Sequence, residues 1–438
     1  MSGVRDAMAV ALRGLNRLAG AGLIDRLGLR KSSERMVYHG VKAGFRTAGA
    51  VGRSFVAVQK LLRPARLGPR RAPDLFDLEP DDEQVMLREA VASFAAEQLR
   101  PAAQKADSEC AAPAELLKGA ADLGITALGI PEELGGAGSE RSTMTNALVH
   151  EALAHGDLGL AVACLAPSAV STALVLWGDA EQQARYLPAF VGENVPAAAL
   201  AVQEVRPLFD PFKLQTRARP DAGGFVLSGA KSLVPRAAQA ELFIVAAELE
   251  GRGPALFIVE SKTVGISVEP EPAMSLRAAA TGRLILDEVR VPASALLGEG
   301  APAAYADCIR LSRIAWCALA VGAAQAVLDY VIPYVNERVA FGEPISHRQA
   351  VAFAVANIGI ELEGMRLLTW RAASRAAQDL PFAEQTALAR RLCADKGVQI
   401  GSEGVQLLGG HGFIKEHPAE RWFRDLRAAG MLEGIVIL

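Results

Sequence analysis

Apolar residues change their spacing twice along the chain, and the changes divide it into three textures. From about Asp81 to Val195 they recur at helical intervals. Asp82 is placed to cap a first helix running through Val85, Leu87, Val91 and Phe94. A glycine-rich break, LGITALGIPEELGGAG from Leu123 to Gly138, interrupts this pattern, which resumes through Leu148, Ala152 and WGDAEQQARYLPAF. From about Ala201 to Leu297 the runs are short, apolar or alternating: GFVLSGAKSLVP, ELFIVAAEL, ALFIVESKTVGISVEP and GRLILDEVRVP. Gly, Pro and Asp punctuate them, which predicts an antiparallel sheet or small barrel. From Ala301 long helical patterns return. One passes Ile314, Leu319, Ala323 and Val327, and a second starts near Ser346 and passes Phe353, Ile360, Leu367 and Trp370. Ser346 and Gln349 have the form of a capping box. A third runs from about Ala383 to Leu408 and stops on Gly409 and Gly410.

Composition narrows the class. With 438 residues, 51% of them apolar and 22% charged, the chain can bury a large core and is not of disordered type. Aromatics are scarce, at 5%, while Ala and Leu abound, which favours helices. Cys110, Cys164, Cys308, Cys317 and Cys393 are scattered without a C-x-x-C pair or a zinc-like histidine nearby. That argues against a disulfide framework or a zinc site and for a reducing cytoplasm. No uninterrupted apolar run long enough to cross a bilayer stands out. Arg13 and Arg17 break the early apolar stretch, so a signal peptide is not expected.

Charge places a boundary. Residues 1–72 hold 15 Lys and Arg against 3 Asp and Glu, a net +12, so the rest carries −15 of the overall −3. The sign flips between Arg71 and Asp74, among Pro64, Pro69 and Pro73. Arg35, Lys42, Arg46, Arg53 and Lys60 fall within a helical stripe about 40° wide. Val37, Val41, Val51, Phe55, Val58 and Leu62 lie opposite. Residues 35–62 thus suit an anionic membrane surface, apolar side down. Packing of the same side on the body or a second subunit is the alternative. Nucleic acid is not expected, because the stretch has almost no aromatics. The expected location is cytoplasmic, peripheral on the inner face of a membrane. The expected class is α+β: a basic helical extension (1–72), an N-terminal helical domain (73–200), a middle antiparallel β domain (201–297) and a C-terminal four-helix bundle (298–438).

Several segments, in register from about residue 80 to 435, resemble the acyl-CoA dehydrogenase family. ERVAFGEPISHRQAVAF (Glu337 to Phe353) and VQLLGGHGFIKEHPAERWFRD (Val405 to Asp425) resemble its two C-terminal motifs. LGITALGIPEELGGAG and WGDAEQQARYLP resemble its N-terminal domain, and LDEVRVPASALLGEG the exit from its β domain. The resemblance implies FAD-dependent α,β-dehydrogenation of an acyl-CoA thioester, electrons passing to an electron-transfer flavoprotein, and a homodimer or homotetramer. A membrane location would suit long acyl chains. It also implies roles for particular residues. Glu433, in the apolar setting MLEG-IVIL, falls where the family base removes the α proton, and its N–H where the thioester oxygen is held. Ser312 stands where some relatives place the base instead, and serine cannot serve. Arg338 matches an arginine that reaches a neighbouring subunit's FAD pyrophosphate. Phe341 and Gln349 match flavin-contacting positions, while Gln406, Gly409 and Gly410 match the segment against the adenosine. Arg313 matches an arginine near the acyl-CoA, and a buried ion pair is its alternative. His411 and His417 are not spaced as a metal pair, and no metal is expected.

The sequence also departs from the pattern. QEVRPLFD (Gln203 to Asp210) and SLVP (Ser232 to Pro235) replace loops that approach the flavin. Phe209 stands for a small residue, Leu233 for an aromatic, and Pro235, which has no N–H, for a hydroxyl donor. These changes leave open a non-catalytic scaffold or assembly subunit, or one half of a heteromeric dehydrogenase with weakened flavin binding.

Overall fold

The computed structural model describes residues 79–136, 138, 143–192 and 194–438, together with Ala65, Gly68 and Pro69. The basic helix expected over residues 35–62 lies outside the described residues.

Helices α1 (Asp82–Phe94), α2 (Arg100–Glu109), α3 (Ala114–Asp122), α4 (Thr143–Gly156), α5 (Leu158–Trp177) and α6 (Ala180–Phe190) form the first layer. Asp81, not Asp82, caps α1: its carboxylate accepts the Gln84 N–H at 2.8 Å and Gln84 Oε1 accepts the Asp81 N–H at 3.1 Å. The box needs its acceptor three residues before Gln84, which selects Asp81. Asp179 and Gln182 repeat the device on α6.

Helix α5 corrects one sequence expectation. Its 20 residues contain no charge, and they are long and apolar enough to cross a membrane by length and composition. Every side chain from Leu158 to Val175 is instead buried within the protein. A helix apolar all round suits either setting; here neighbouring helices and the sheet supply the surroundings.

Strands β1 (Ala198–Ala201), β2 (Arg217–Asp221), β3 (Gly224–Val234), β4 (Leu242–Leu249), β5 (Gly253–Glu260), β6 (Ile266–Pro270), β7 (Gly282–Pro292) and β8 (Leu296–Leu297) form one sheet. Its order is β6-β7-β3-β2-β4-β5-β8, with β1 beside β4. Most pairs are antiparallel as expected, but β1 and β2 both run parallel to β4. Strand β4 explains its own sequence. Leu242, Ile244 and Ala246 join the core shared with the helices, while Phe243, Val245, Ala247 and Leu249 join a second core inside the sheet. Both faces are covered, so the strand is apolar throughout rather than alternating.

The chain then returns to helix: α7 (Pro302–Glu337), a small hairpin β9 (Val339–Ala340) and β10 (Glu343–Pro344), α8 (Gln349–Ala377), α9 (Ala383–Leu408), and the short α10 (Ala419–Asp425) and α11 (Ala428–Met431). Three long helices, not four, come from this part; α4 packs along α7 and α8 to complete the bundle. Ser346 does not cap α8. It lies in a short turn, Ile345–His347, closed by the Arg348 N–H to the Ile345 carbonyl at 3.0 Å. The helix therefore starts at Gln349, too late for Gln349 to serve as the third residue of a box.

Candidate active site

Three elements converge on the last residues of the chain. After α11 the backbone turns at Gly434, whose φ is +73°. A Cβ there would lie 2.4 Å from the Val202 Cβ, so only glycine fits. The Gly434 carbonyl accepts the Ser312 hydroxyl at 2.8 Å and the Trp316 Nε1–H at 3.0 Å, both from α7. Beyond it, Ile435 bridges Leu200 of β1, and Ile435 to Leu438 are fully enclosed in the core between sheet and helices. Burying these four side chains contributes roughly 1.5–3 kcal/mol each. Ser312 is thus an anchor for the turn carrying the carboxylate.

That turn holds Glu433 in the seam, 7% exposed. Arg313 of α7 grips its carboxylate side-on, with Nε at 2.9 and 3.1 Å from the two oxygens and Nη2 at 2.8 Å from one. Arg390 of α9 adds a second guanidinium at 3.5 Å and donates to the Leu432 carbonyl at 2.7 Å. Fork-on-carboxylate pairing fixes orientation as well as charge. Burial lowers the Arg390 guanidinium below its ordinary range, with Glu433 pulling it back. Of the roles weighed for Arg313, the ion pair is the one this geometry contains. The Glu433 N–H donates to Gln203 Oε1 at 3.1 Å.

Beneath Gln203 lies a second buried pair. Lys231 of β3 is wholly enclosed, its Nζ 2.9 Å from Glu204 Oε1 and 3.1 Å from the Val202 carbonyl. Burial pushes the Lys231 ammonium down to about 8 against the pull of Glu204. Burial raises Glu204 too, but Lys231 and the Gln215 and Thr216 N–H groups outweigh it and leave the carboxyl below its usual range. A lone buried charge would be costly; paired and hydrogen-bonded, it pins the chain where it leaves β1.

The other sequence-predicted positions lie elsewhere. Arg338, Phe341 and Gln349 are exposed around the β9–β10 hairpin and the start of α8, Phe341 at 95%. Gln406, Gly409 and Gly410 are exposed at the end of α9, and a Cβ at either glycine would meet nothing within 4 Å. These residues form an open surface, separate from the Glu433 seam within one chain. Next to it, His411 and His417 stack at 5.2 Å, each within hydrogen-bond distance of a tyrosine, Tyr334 and Tyr330 respectively. The open surface carries the Arg338 guanidinium and two glycines beside free space, groups whose chemistry suits a phosphate and a closely approaching ring. The replaced loops offer less to an isoalloxazine ring: the Leu233 N–H is already given to Glu271 Oε2 at 2.7 Å, and Phe209 is half-buried under the Arg206 guanidinium.

Sequence reasoning assigned no role to Gln203, Trp316, Glu271 or Arg390. Each acts through a partner at least 38 residues away, so no local spacing marks it. The residue types offered one hint: an uninterrupted apolar tail after Glu433 requires an enclosed seam.

A three-part fold with one clamped carboxylate at the meeting of sheet and bundle defines the class. Residues 81–194, 199–289 and 298–435 match the models for the N-terminal, middle and C-terminal domains of acyl-CoA dehydrogenases. The chain belongs to the acyl-CoA dehydrogenase family, oxidoreductases acting on CH–CH groups. It is 33% identical to the mitochondrial short-chain specific acyl-CoA dehydrogenase of Bos taurus, over 84% of this chain and 90% of that one. Butyryl-CoA dehydrogenase from Megasphaera elsdenii superposes with a TM-score of 0.75 at 28% identity, covering 82% of this chain and 96% of the other. A glutaryl-CoA dehydrogenase from Mycobacterium smegmatis, solved in complex with FADH2, gives 0.74 at 26% identity over 82% and 93%.

Proposed function

We propose that this protein is an FAD-dependent acyl-CoA dehydrogenase for short acyl thioesters, with Glu433 as the base that takes the α proton. One observation carries the reading: the carboxylate is buried in the seam, oriented by Arg313 and Arg390 and anchored by Ser312 and Trp316 through Gly434. An α C–H is a weak acid, so its base must be fixed within reach and the developing enolate needs donors. The Glu433 N–H, which donates to Gln203 Oε1 at 3.1 Å in the free chain, is the backbone donor for the thioester oxygen, and the two guanidiniums add positive field. When bound, FAD supplies the acceptor for the β hydride. Arg338 would hold its pyrophosphate from a neighbouring subunit, Phe341 and Gln349 would contact the flavin, and Gln406, Gly409 and Gly410 would pack against the adenosine. Short substrates are favoured over the long chains that a membrane location would suit. The matched relatives act on short-chain and butyryl thioesters, and Ile435 to Leu438 fill the apolar space beside the base. An electron-transfer flavoprotein is the proposed acceptor of the electrons.

The absorbance spectrum of the purified protein tests this directly. The expected result is a flavin band bleached anaerobically by butyryl-CoA. Glu433→Gln is expected to slow that bleaching by about 10²–10⁴-fold while flavin content is unchanged. A colourless protein that takes up no added FAD would favour the scaffold reading, for which the occupied Leu233 N–H and the missing Pro235 donor speak. We further propose a cytoplasmic location on the inner face of a membrane through residues 35–62. Removing residues 1–72 should then abolish co-sedimentation with vesicles containing phosphatidylserine; undiminished sedimentation would rule this out.

A further inference from the structure

The Glu433 N–H is satisfied by a side-chain carbonyl rather than by backbone. Its acceptor, Gln203 Oε1 at 3.1 Å, belongs to a residue whose own backbone is independently fixed. The Gln203 carbonyl takes the Ser232 N–H at 2.9 Å, and the next residue, Glu204, is locked by Lys231, Gln215 and Thr216. The Glu433 segment has separate anchors as well: Ser312 and Trp316 on the Gly434 carbonyl, Arg390 on the Leu432 carbonyl, and Arg313 on the carboxylate. The Gln203–Glu433 contact is therefore not needed to hold either strand in place. A primary amide presents the same acceptor as a thioester, a carbonyl oxygen. It sits on the backbone N–H of Glu433 itself, the residue whose carboxylate is the proposed base. Gln203 also opens the segment that leads to solvent through Val205, Leu208 and Phe212, all exposed, Leu208 at 99%.

We propose that Gln203 is the gate of this site: its side-chain carbonyl stands in for the substrate's thioester oxygen on the Glu433 N–H and must swing away for the substrate to bind. The idea rests on the acyl-thioester reading above and adds a residue that sets apparent affinity. An unmade hydrogen bond to a buried N–H raises the energy of the free enzyme, and the entering carbonyl recovers it. Removing the internal acceptor should thus tighten substrate binding, opposite in direction to the loss of a purely structural contact.

The test measures dissociation constants of 3-thiabutyryl-CoA, whose sulfur at the β position prevents dehydrogenation, on the flavin-loaded protein by titration calorimetry. Gln203→Ala is expected to bind about five-fold tighter than wild type. Gln203→Glu, which keeps an acceptor oxygen at the same reach, is expected to show no such gain. With butyryl-CoA, Gln203→Ala should lower KM and leave kcat within about two-fold, because only the free state changes. Should the Ala variant fail to fold, Gln203→Met removes the carbonyl and keeps the bulk, and the same direction is expected. Unchanged or weaker binding by the folded variant, with wild type binding normally, overturns the gate and leaves the acyl-thioester reading intact. If neither wild type nor variant binds the thioester, both fall.

Discussion

Gly434 and Glu433 do their work as neighbours with opposite demands. Glutamate needs a fixed carboxylate, and glycine makes the fixing turn. Ala at 434 would adopt φ +73° against its preference and drive its Cβ into Val202, 2.4 Å away. Gly434→Ala should destabilise the protein by roughly 2–4 kcal/mol, read as a lowered thermal midpoint and a loss of activity. An unchanged midpoint would mean that the β1 edge yields easily and that the turn is not tightly held. The sequence singled out Glu433 through the family resemblance, with its apolar neighbours as support. It left Arg313 between two roles because a lone arginine on a helix does not announce its partner. The partner is 120 residues distant.

At the level of elements, α8 exposes a seam that the sequence had marked only as helical. Phe353, Ile360 and Leu367 recur every seven residues and are 59%, 69% and 51% exposed. Periodicity reports that side chains share a face; it does not report what covers that face. A second copy of the chain is the expected partner, bringing Arg338 and Phe341 towards a neighbour. Ile360→Glu is expected to shift the mass seen by light scattering to a smaller species without lowering helix content. A variant that keeps its wild-type mass would show that this stripe is not where subunits meet. The failed capping box at Ser346 carries the same lesson: the residue pair has the form of a box, but the turn after Pro344 starts the helix at Gln349, which leaves that residue first rather than third.

Across the whole molecule, one polar junction ties the three parts together. Asp157, which caps α5 through the Leu160 N–H, pairs with Arg421 at 2.8 Å. Asp425 accepts the Leu276 N–H from the β domain at 2.8 Å, and Arg424 reaches both Asp107 and the Met274 carbonyl. Burial, and then the charge of Asp157, pushes the Asp425 carboxyl up to about 7. Its folded value therefore exceeds its ordinary value of 3.8. Between those two values the folded state binds the extra proton. The Asp425 contribution is thus fully present below about 4 and is lost as pH rises through 7. Asp425→Asn keeps an acceptor for Leu276 and removes the titration. Its thermal midpoint relative to wild type should be higher at pH 8 than at pH 5. A difference independent of pH would show that Asp425 does not titrate there.

The order of helix, strand and helix was legible in the chain because hydrophobic period is a local property, readable within a dozen residues. The base candidate was legible only through the family resemblance, because an acid amid apolar residues does not by itself announce a base. Only tertiary structure decided that the uncharged helix Leu158–Trp177 is a core helix, since its surroundings come from other segments. Folding also chose Arg313 and Arg390 as the clamp, gave Ser312 and Trp316 to the Gly434 carbonyl, and set Gln203 on the Glu433 N–H. Those pairings join residues more than 40 positions apart, and no spacing rule in a linear chain encodes a contact that exists only once the sheet edge, two helices and the tail have packed together.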